Sequence, residues 1–463
     1  MIHKYTLFGY NIVLDVESGA VHVMSDVAAQ MTDYIEIMLE KNSGELPEEC
    51  PVDLRYSLAK YESSAVKDSY AELRELYKNN MLFSKSHDFN AFAVGNVVPD
   101  VPVKALCLNV SHDCNMSCEY CFAGKGDFGL EKKLMSEETG MNAVKFLMQN
   151  SKKRKNLEID FFGGEPLMNF DVVKNIVAKT RELEKEFNKN VRFTLTTNGI
   201  LLDNDKIDFI NQNISNIVLS LDGLRETNDN MRGSGTYSKI VPLYQKLVAE
   251  RTGKYKDYYI RGTFTRNNLD FSKDVTHMRE LGFSNVSIEP VVAEGNFNYS
   301  IRKEDLSKIF KEYENLAKEI IRRERKQQDA FNFFHFNIDL ENGPCVYKRS
   351  KGCGSGSEYL AVTPNGDIYP CHQFVGNEEY KLGNVNANEP QINLNGGLIQ
   401  KFHANNIISN EQCQKCWAKY FCGGGCPANN VKFNGNIYAP YETACEMEKK
   451  RVECAIAIKT AVI

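Results

Sequence analysis

Apolar and polar residues alternate through TLFGYNIVLD and AVHVMS near the start of the chain, and the Glu-Ser-Gly between them is turn chemistry, so a hairpin is predicted. Helical spacing follows over 26–41 and 65–80, the second carrying Leu73 and Leu76 beside many charges. PEECP (47–51) breaks the chain between them, and VVPDVPV (97–103) has the proline content of a linker. From 104 to about 325 the pattern changes to a strand–helix alternation repeated six times. Strands are predicted at 104–110, 157–163, 191–197, 216–222, 258–265 and 285–291. Helices are predicted at 136–150, 170–188, 204–213, 237–251, 271–281 and 303–325, the last with Leu306, Ile309, Phe310, Tyr313, Leu316 and Ile320 on one face. Such alternation implies parallel strands with right-handed crossovers, in an open doubly wound sheet or an incomplete barrel. Beyond 330 the segments shorten. FNFFHFNID is an aromatic run expected to pack between the barrel and a terminal module, and a last helix is predicted over 441–458.

The polar signatures cluster where these strands end. A three-cysteine loop follows the first strand, GGEP (163–166) the second, TTNG (196–199) the third and SLDG (220–223) the fourth. Ile288-Glu289-Pro290 closes the sixth. Ligand sites of α/β and barrel folds are built at the carboxyl ends of strands.

Composition narrows the class. The 463 residues are enough for two to four domains, and 42% hydrophobic with 25% charged residues excludes a disordered, collagen-like or coiled-coil chain. No run of about eighteen apolar residues predicts a membrane span. The N-terminus reads as a strand rather than a secretory signal, so a cytoplasmic protein without a membrane partner is expected. With 56 basic and 61 acidic residues, a nucleic-acid partner is disfavoured.

The 14 cysteines are the outlying feature. Large domains and no secretory signal argue against a disulfide framework and for soft-metal ligation. Cys50 and Cys107 precede a first cluster at Cys114, Cys118 and Cys121. None follows until Cys345, after which come Cys353, Cys371, Cys413, Cys416, Cys422, Cys426, Cys445 and Cys454. Two metal-binding regions flanking a cysteine-free scaffold are expected. In CNMSCEYC, three thiolates on one tight loop can hold three irons of a 4Fe–4S cube and leave the fourth without a protein ligand. Zinc held by these cysteines and His112 is the bland alternative.

The Cys-x3-Cys-x2-Cys spacing followed by GGEP resembles the radical S-adenosylmethionine (SAM) superfamily over about 104–325. The resemblance implies that the open iron binds the SAM amino and carboxylate groups and that a reduced cluster cleaves SAM to a 5′-deoxyadenosyl radical. It implies that Tyr120 lies beside the adenine and that Gly163, Gly164 and Glu165 meet the amino group, with Pro166 stiffening the exit. Ser220 corresponds to a ribose-side or carboxylate-side hydroxyl and Arg232 to an arginine pairing the SAM carboxylate. Thr197 and Asn198 line the same rim.

The C-terminal cysteines alone fit two zinc knots as well as iron–sulfur clusters. Their order, with VTPNGDIYPC between Cys353 and Cys371, resembles the SPASM extension of peptide-modifying radical SAM enzymes, which carries two auxiliary 4Fe–4S clusters. By that resemblance Cys413, Cys416, Cys422 and Cys445 hold an outer cluster, and Cys353, Cys371 and Cys426 an inner one. Cys345 is placed to be the inner cluster's fourth ligand, a displaceable ligand, or no ligand. Three 4Fe–4S clusters and SAM are thus expected. Cys107 reads as a buried small hydrophobe, and Cys50 and Cys454 have no functional reading.

The stretch YNIVLDVESGAVHVMSDVA resembles the leader-peptide recognition domain of enzymes that modify ribosomally made peptides, a small winged helix to whose sheet edge the leader adds as a strand. A DNA-binding winged helix is disfavoured because the stretch is not basic. The expected fold class is therefore α/β: a winged-helix recognition domain over 1–90, a partial (β/α)6 TIM-like barrel over 91–325, and a bridging segment with a Cys-rich SPASM domain over 326–463. Over its full length the chain resembles the maturases of "six cysteines in forty-five" peptides, which form Cys thioether cross-links. The resemblance implies a radical SAM oxidoreductase with a Cys-rich precursor peptide and a reducing electron donor as partners. The rival readings are an anaerobic sulfatase maturase that makes formylglycine, a peptide epimerase using Cys107 as hydrogen donor, and a non-enzymatic iron–sulfur electron carrier or scaffold.

Overall fold

The computed structural model describes residues 1–86, 101–295, 297–341, 350, 352–387 and 394–462. The chain opens with β1 (Ile2–Leu7), β2 (Tyr10–Asp15) and β3 (Val21–Met24), paired antiparallel in that order, then α1 (Asp26–Lys41), α2 (Val52–Ser57) and α3 (Ser63–Lys78). Ser25 starts α1 by accepting a hydrogen bond from the Ala28 amide. The two-residue period of β2 divides its side chains between two cores. Val13 packs with Val27, Met31, Ile35, Tyr70 and Leu73 of the helices, whereas Ile12 and Leu14 join the main core of the molecule. The small sheet is thus covered on both faces and docked on the rest of the chain. Of the predicted linker, residues 97–100 lie outside the described residues.

The six predicted strand–helix units follow. They are β4 (Ala105–Ser111) with α4 (Glu137–Asn150), β5 (Asn156–Gly163) with α5 (Phe170–Phe187), and β6 (Asn190–Thr197) with α6 (Asn204–Asn213). Next come β7 (Asn216–Ser220) with α7 (Arg225–Arg232) and α8 (Thr236–Glu250), and β8 (Asp257–Phe264) with α9 (Ser272–Glu280). The last is β9 (Asn285–Pro290) with α10 (Leu306–Lys326). Neighbouring strands pair parallel in chain order, giving a partial TIM-like sheet. Two details differ from the expectation. Helix α7, RETNDNMR, has no apolar stripe for periodicity to detect, and β7 ends at Ser220, so Asp222 turns inward instead of completing the strand.

The sheet does not stop at six strands. β10 (Asn332–Phe333) pairs with β9 on one edge. On the other, β11 (Tyr359–Val362) lies parallel to β4, followed antiparallel by β12 (Asp367–Tyr369) and β13 (Gly383–Asn384). The C-terminal segments therefore continue the barrel sheet. Short helices α11 (Gly396–Ala404), α12 (Glu411–Gln414), α13 (Lys419–Cys422) and α14 (Pro427–Asn434) lead to the long α15 (Glu442–Val462), which packs against α10. Phe333 and Phe336 of the aromatic run are buried between these parts.

The N-terminal sheet meets the C-terminal helices directly. His3 stacks on Trp417 at 3.7 Å, and the Tyr5 hydroxyl donates to the Glu453 carbonyl at 3.0 Å. Glu17, from the turn after β2, is 2% exposed; Lys419 Nζ lies 2.7 Å from it and the Tyr420 hydroxyl donates to it at 2.8 Å. Cys107 and Cys454 are fully buried, and Cys50 is half-buried against the N-terminal core. Among the described residues no helix is long and apolar enough to cross a membrane.

Candidate active site

A cavity of about 560 Å³ opens at the carboxyl ends of β4–β9. Its wall gathers Cys114, Cys118 and Cys121 from the loop after β4 and Gly163, Gly164 and Glu165 from the end of β5. Thr197, Asn198, Ser220, Tyr120 and Arg232 complete that side. Residues from four successive strand–helix units thus meet because each stands at or beyond the carboxyl end of a parallel strand. Gly163, at φ 129°, and Gly164 pack on the backbone of 111–113: a Cβ would stand 2.2 Å from the Ser111 carbonyl oxygen at the first and 2.2 Å from that of Asp113 at the second.

Two internal carboxylates organise this side. Glu165, fully buried, accepts from the Leu167 amide (2.9 Å), the Thr197 hydroxyl (2.8 Å) and the Asn198 amide (2.8 Å), tying the GGEP loop to TTNG. Burial pushes its carboxyl up to about 7 against the lowering effect of those bonds. Asp222, also fully buried, accepts from the Tyr120 hydroxyl on both oxygens (2.9 and 2.8 Å), from Arg232 Nη2 (2.9 Å) and from the Thr263 amide (2.9 Å). Arg232 Nε finds no acceptor among the described residues.

The rest of the lining carries Arg261, Glu289, His372 and Arg451, and includes Cys422, Cys426 and Cys445. Arg261 Nη2 donates to Glu289 Oε1 at 3.2 Å, His335 Nε2 stands 3.3 Å from the same oxygen, and Arg451 Nη1 lies 3.0 Å from His335 Nδ1. Burial would raise the Glu289 carboxyl, but His335, Arg261 and Arg451 outweigh it and hold it well below the ordinary value. A second cavity of about 160 Å³ is lined by Cys413, Cys416, Cys422 and Cys445. Cys371 lies near Cys353 and Cys426, close enough for each to raise its thiol, which burial first pushes up to about 12. Cys345 lies outside the described residues.

Residues 108–258 match the Radical SAM superfamily, and residues 353–417 match SPASM, the iron–sulfur cluster-binding domain. The chain carries a radical SAM domain followed by a SPASM domain. It is 26% identical over 349 residues to a cysteine-type anaerobic sulfatase-maturating enzyme of Clostridium perfringens, covering 70% of this chain and 89% of that protein. It is 23% identical over 366 residues to the radical SAM cyclopropyl synthase TigE of Paramaledivibacter caminithermalis, covering 75% of this chain and 72% of that one. In fold it resembles native anSMEcpe with bound AdoMet (TM-score 0.61, 22% identity), over 78% of this chain and 99% of that one. Streptococcus suis SuiB bound to precursor peptide SuiA matches with TM-score 0.51 and 16% identity, over 95% of this chain and 97% of that one.

The side chains present fit the cofactors that such domains bind. Burial pushes the Cys114 thiol up to about 11 and raises Cys118, so without a soft cation these groups stay protonated, whereas a coordinated thiol is deprotonated outright. Burial likewise takes Cys413 and Cys445 to about 11 and Cys422 to about 12 around the second cavity. His112, the fourth ligand of the zinc alternative, turns elsewhere: its ring lies 3.5 Å from Asn109 Nδ2 and packs on Phe128, leaving a three-thiol loop as an open-cornered cluster requires. For SAM, the unpartnered Nε of Arg232 can take a carboxylate.

Two of the expected site residues also have partners inside the protein. Glu165 uses about three of its four acceptor positions on Leu167, Thr197 and Asn198, which holds the GGEP loop against TTNG. Arg232 is already ion-paired to Asp222 and offers SAM only its remaining edge. Asp222 itself was missed, although it stands inside the SLDG motif. Arg261 was missed too; a charged residue amid the apolar run of β8 was its signal. His335 and Arg451 left no local signal.

Proposed function

We propose that this chain is a maturase that installs Cys thioether cross-links in a ribosomally made, Cys-rich precursor peptide. The observation that carries the reading is the docked N-terminal unit. Its central strand is β2, leaving β1 and β3 as edges. β1 is held against α15 through His3 and Tyr5, so β3, where Val23 is 53% exposed, is the edge to which a leader strand can add. A leader held there raises the effective concentration of the attached core peptide at the cavity. The match to SuiB with its precursor peptide spans 95% of this chain, whereas about a fifth of it has no counterpart in anSMEcpe.

When bound, a 4Fe–4S cluster at Cys114, Cys118 and Cys121 with SAM supplies the radical that removes a hydrogen atom from carbon. Tyr120, Asp222 and Arg232 hold the nucleoside side of the cavity, Gly163 and Gly164 admit close approach, and Glu165 with Thr197 and Asn198 keeps the rim in register. Outer-cluster binding falls to Cys413, Cys416, Cys422 and Cys445, inner-cluster binding to Cys353, Cys371 and Cys426, with Cys345 as the proposed fourth ligand. The product joins peptide sulfur to peptide carbon. One hydrogen would leave as an atom to the 5′-deoxyadenosyl radical and the other as a proton, with the one electron released going to the auxiliary clusters held by the C-terminal cysteines.

Mass spectrometry of a Cys-rich peptide encoded beside this chain, incubated with reconstituted enzyme, SAM and reductant, should show loss of two hydrogens per cross-link and cysteines that resist alkylation. The similarity to the Clostridium perfringens enzyme supports formylglycine formation equally, and a hydrazide-reactive aldehyde in place of a cross-link would select that reading.

A further inference from the structure

The cavity has a polar wall that no cofactor role uses. Arg261 on β8 pairs in register with Ser220, and Glu289 on β9 pairs with Thr263, so both stand at the level of the cofactor-side residues. They form a donor–acceptor couple at the mouth: the Arg261 side chain is 54% exposed and that of Glu289 29%, both toward the shared space. The recorded partners of Glu289 converge on one oxygen, Oε1, which receives Arg261 Nη2 and faces His335 Nε2. Oε2 has no partner among the described residues. Beside the couple, Arg451 bears on His335 and pairs with Glu448, and its Nε has no acceptor among the described residues. His335 and Arg451, the second itself lining the cavity, thus brace Glu289 through Oε1.

A peptide entering such a space brings one N–H and one C=O per residue, and each must find a partner once water is excluded. A guanidinium beside a carboxylate supplies both kinds, and charge-assisted bonds are about twice as strong as neutral ones. We propose that Arg261 and Glu289 form a main-chain clamp for an extended peptide, Arg261 donating to a backbone carbonyl and Glu289 Oε2 accepting a backbone N–H next to the residue that loses hydrogen. Arg451 and His335 are positioning residues for that carboxylate. The clamp rests on the peptide-substrate reading but not on thioether formation, since it reads the backbone whatever the side chain becomes.

The test uses reconstituted enzyme with S-adenosylhomocysteine and a fluorine-labelled, cysteine-centred synthetic peptide, with binding followed by fluorine NMR, which reads weak complexes. The peptide is N-methylated at one amide at a time. In the unaltered enzyme one methylation should weaken binding about tenfold to a hundredfold, the range for a hydrogen bond to a charged group. Glu289→Ala should bind the unmethylated peptide weaker by the same factor and be indifferent to that methylation, and Glu289→Gln should fall between. Arg261→Gln, checked for iron content, should weaken binding without erasing the methylation effect. Equal methylation effects in the unaltered enzyme and Glu289→Ala would overturn the clamp and leave the peptide reading intact. No binding of the unmethylated peptide would overturn both.

Discussion

Breaking the buried contact between Glu17 and Lys419 should loosen the N-terminal unit from the cysteine-rich helices. Glu17 is 2% and Lys419 7% exposed, and their 2.7 Å contact leaves Lys419 with the Gln414 carbonyl at 3.4 Å as its other recorded acceptor. Glu17→Met strands that ammonium, and losing one partner of a buried pair costs about 3–5 kcal/mol. It also removes the 2.8 Å hydrogen bond from the Tyr420 hydroxyl. At about 1.4 kcal/mol per decade, the pair alone corresponds to a hundredfold to few-thousandfold loss of local protection. Replacing both partners, Glu17→Met with Lys419→Met, removes the stranded charge and leaves the loss of the Tyr420 hydrogen bond. Because a chain of several units need not unfold in one step, the fitting assay is hydrogen exchange at the β2–β3 turn and residues 414–422. The single variant should exchange far faster there, and the double variant should recover most of the protection. Exchange in the double variant as fast as the two single effects added would refute the reasoning, because no coupling would then join the residues.

Changing Cys114, Cys118 and Cys121 together to Ala should remove one cluster's iron and abolish 5′-deoxyadenosine formation while absorbance from the other clusters remains; surviving cleavage of SAM would contradict the assignment of that loop. Asp222→Asn weakens the charge-assisted hold on Arg232 and Tyr120, so SAM affinity measured by titration calorimetry should fall about tenfold to a hundredfold. Burial raises the Asp160 carboxyl from 3.8 to about 7, with Glu158 adding to the rise. The fold therefore favours its neutral form. That contribution is complete below the unfolded value of 3.8 and is lost as pH rises through about 7. Asp160→Asn should make urea stability flatter across that window and raise it at pH above 7 relative to the unaltered chain; parallel pH profiles would count against the shift.

What could be read from residue order was what is local. The six strand–helix units announce themselves because each has a long periodic stretch, and the cysteine loop, GGEP, TTNG and SLDG stand where those stretches end. Cysteine spacing likewise carried the metal chemistry. The partnership of Asp222 with Tyr120 and Arg232 was hidden because it joins three loops, and α7, which ends at Arg232, buries only Asn228 and Met231. The network around Glu289 draws on β8, β9, the aromatic run and α15, which sit far apart along the chain. The outer strands escaped for another reason: β10 and β13 are two residues long, too short for an alternation to register.

The parallel pairing of β11 with β4 has a practical consequence. Hydrogen bonds along Ala105–Leu108 are completed by a strand encoded some two hundred and fifty positions later, so no cut between barrel and tail leaves a sealed fragment. A shortened version ending after α10 would bare a flank of unpaired amides and carbonyls, an invitation to intermolecular stacking. During synthesis the same flank stays open until the distant stretch emerges, which makes the late arrival of Tyr359–Val362 a natural point for chaperone dependence.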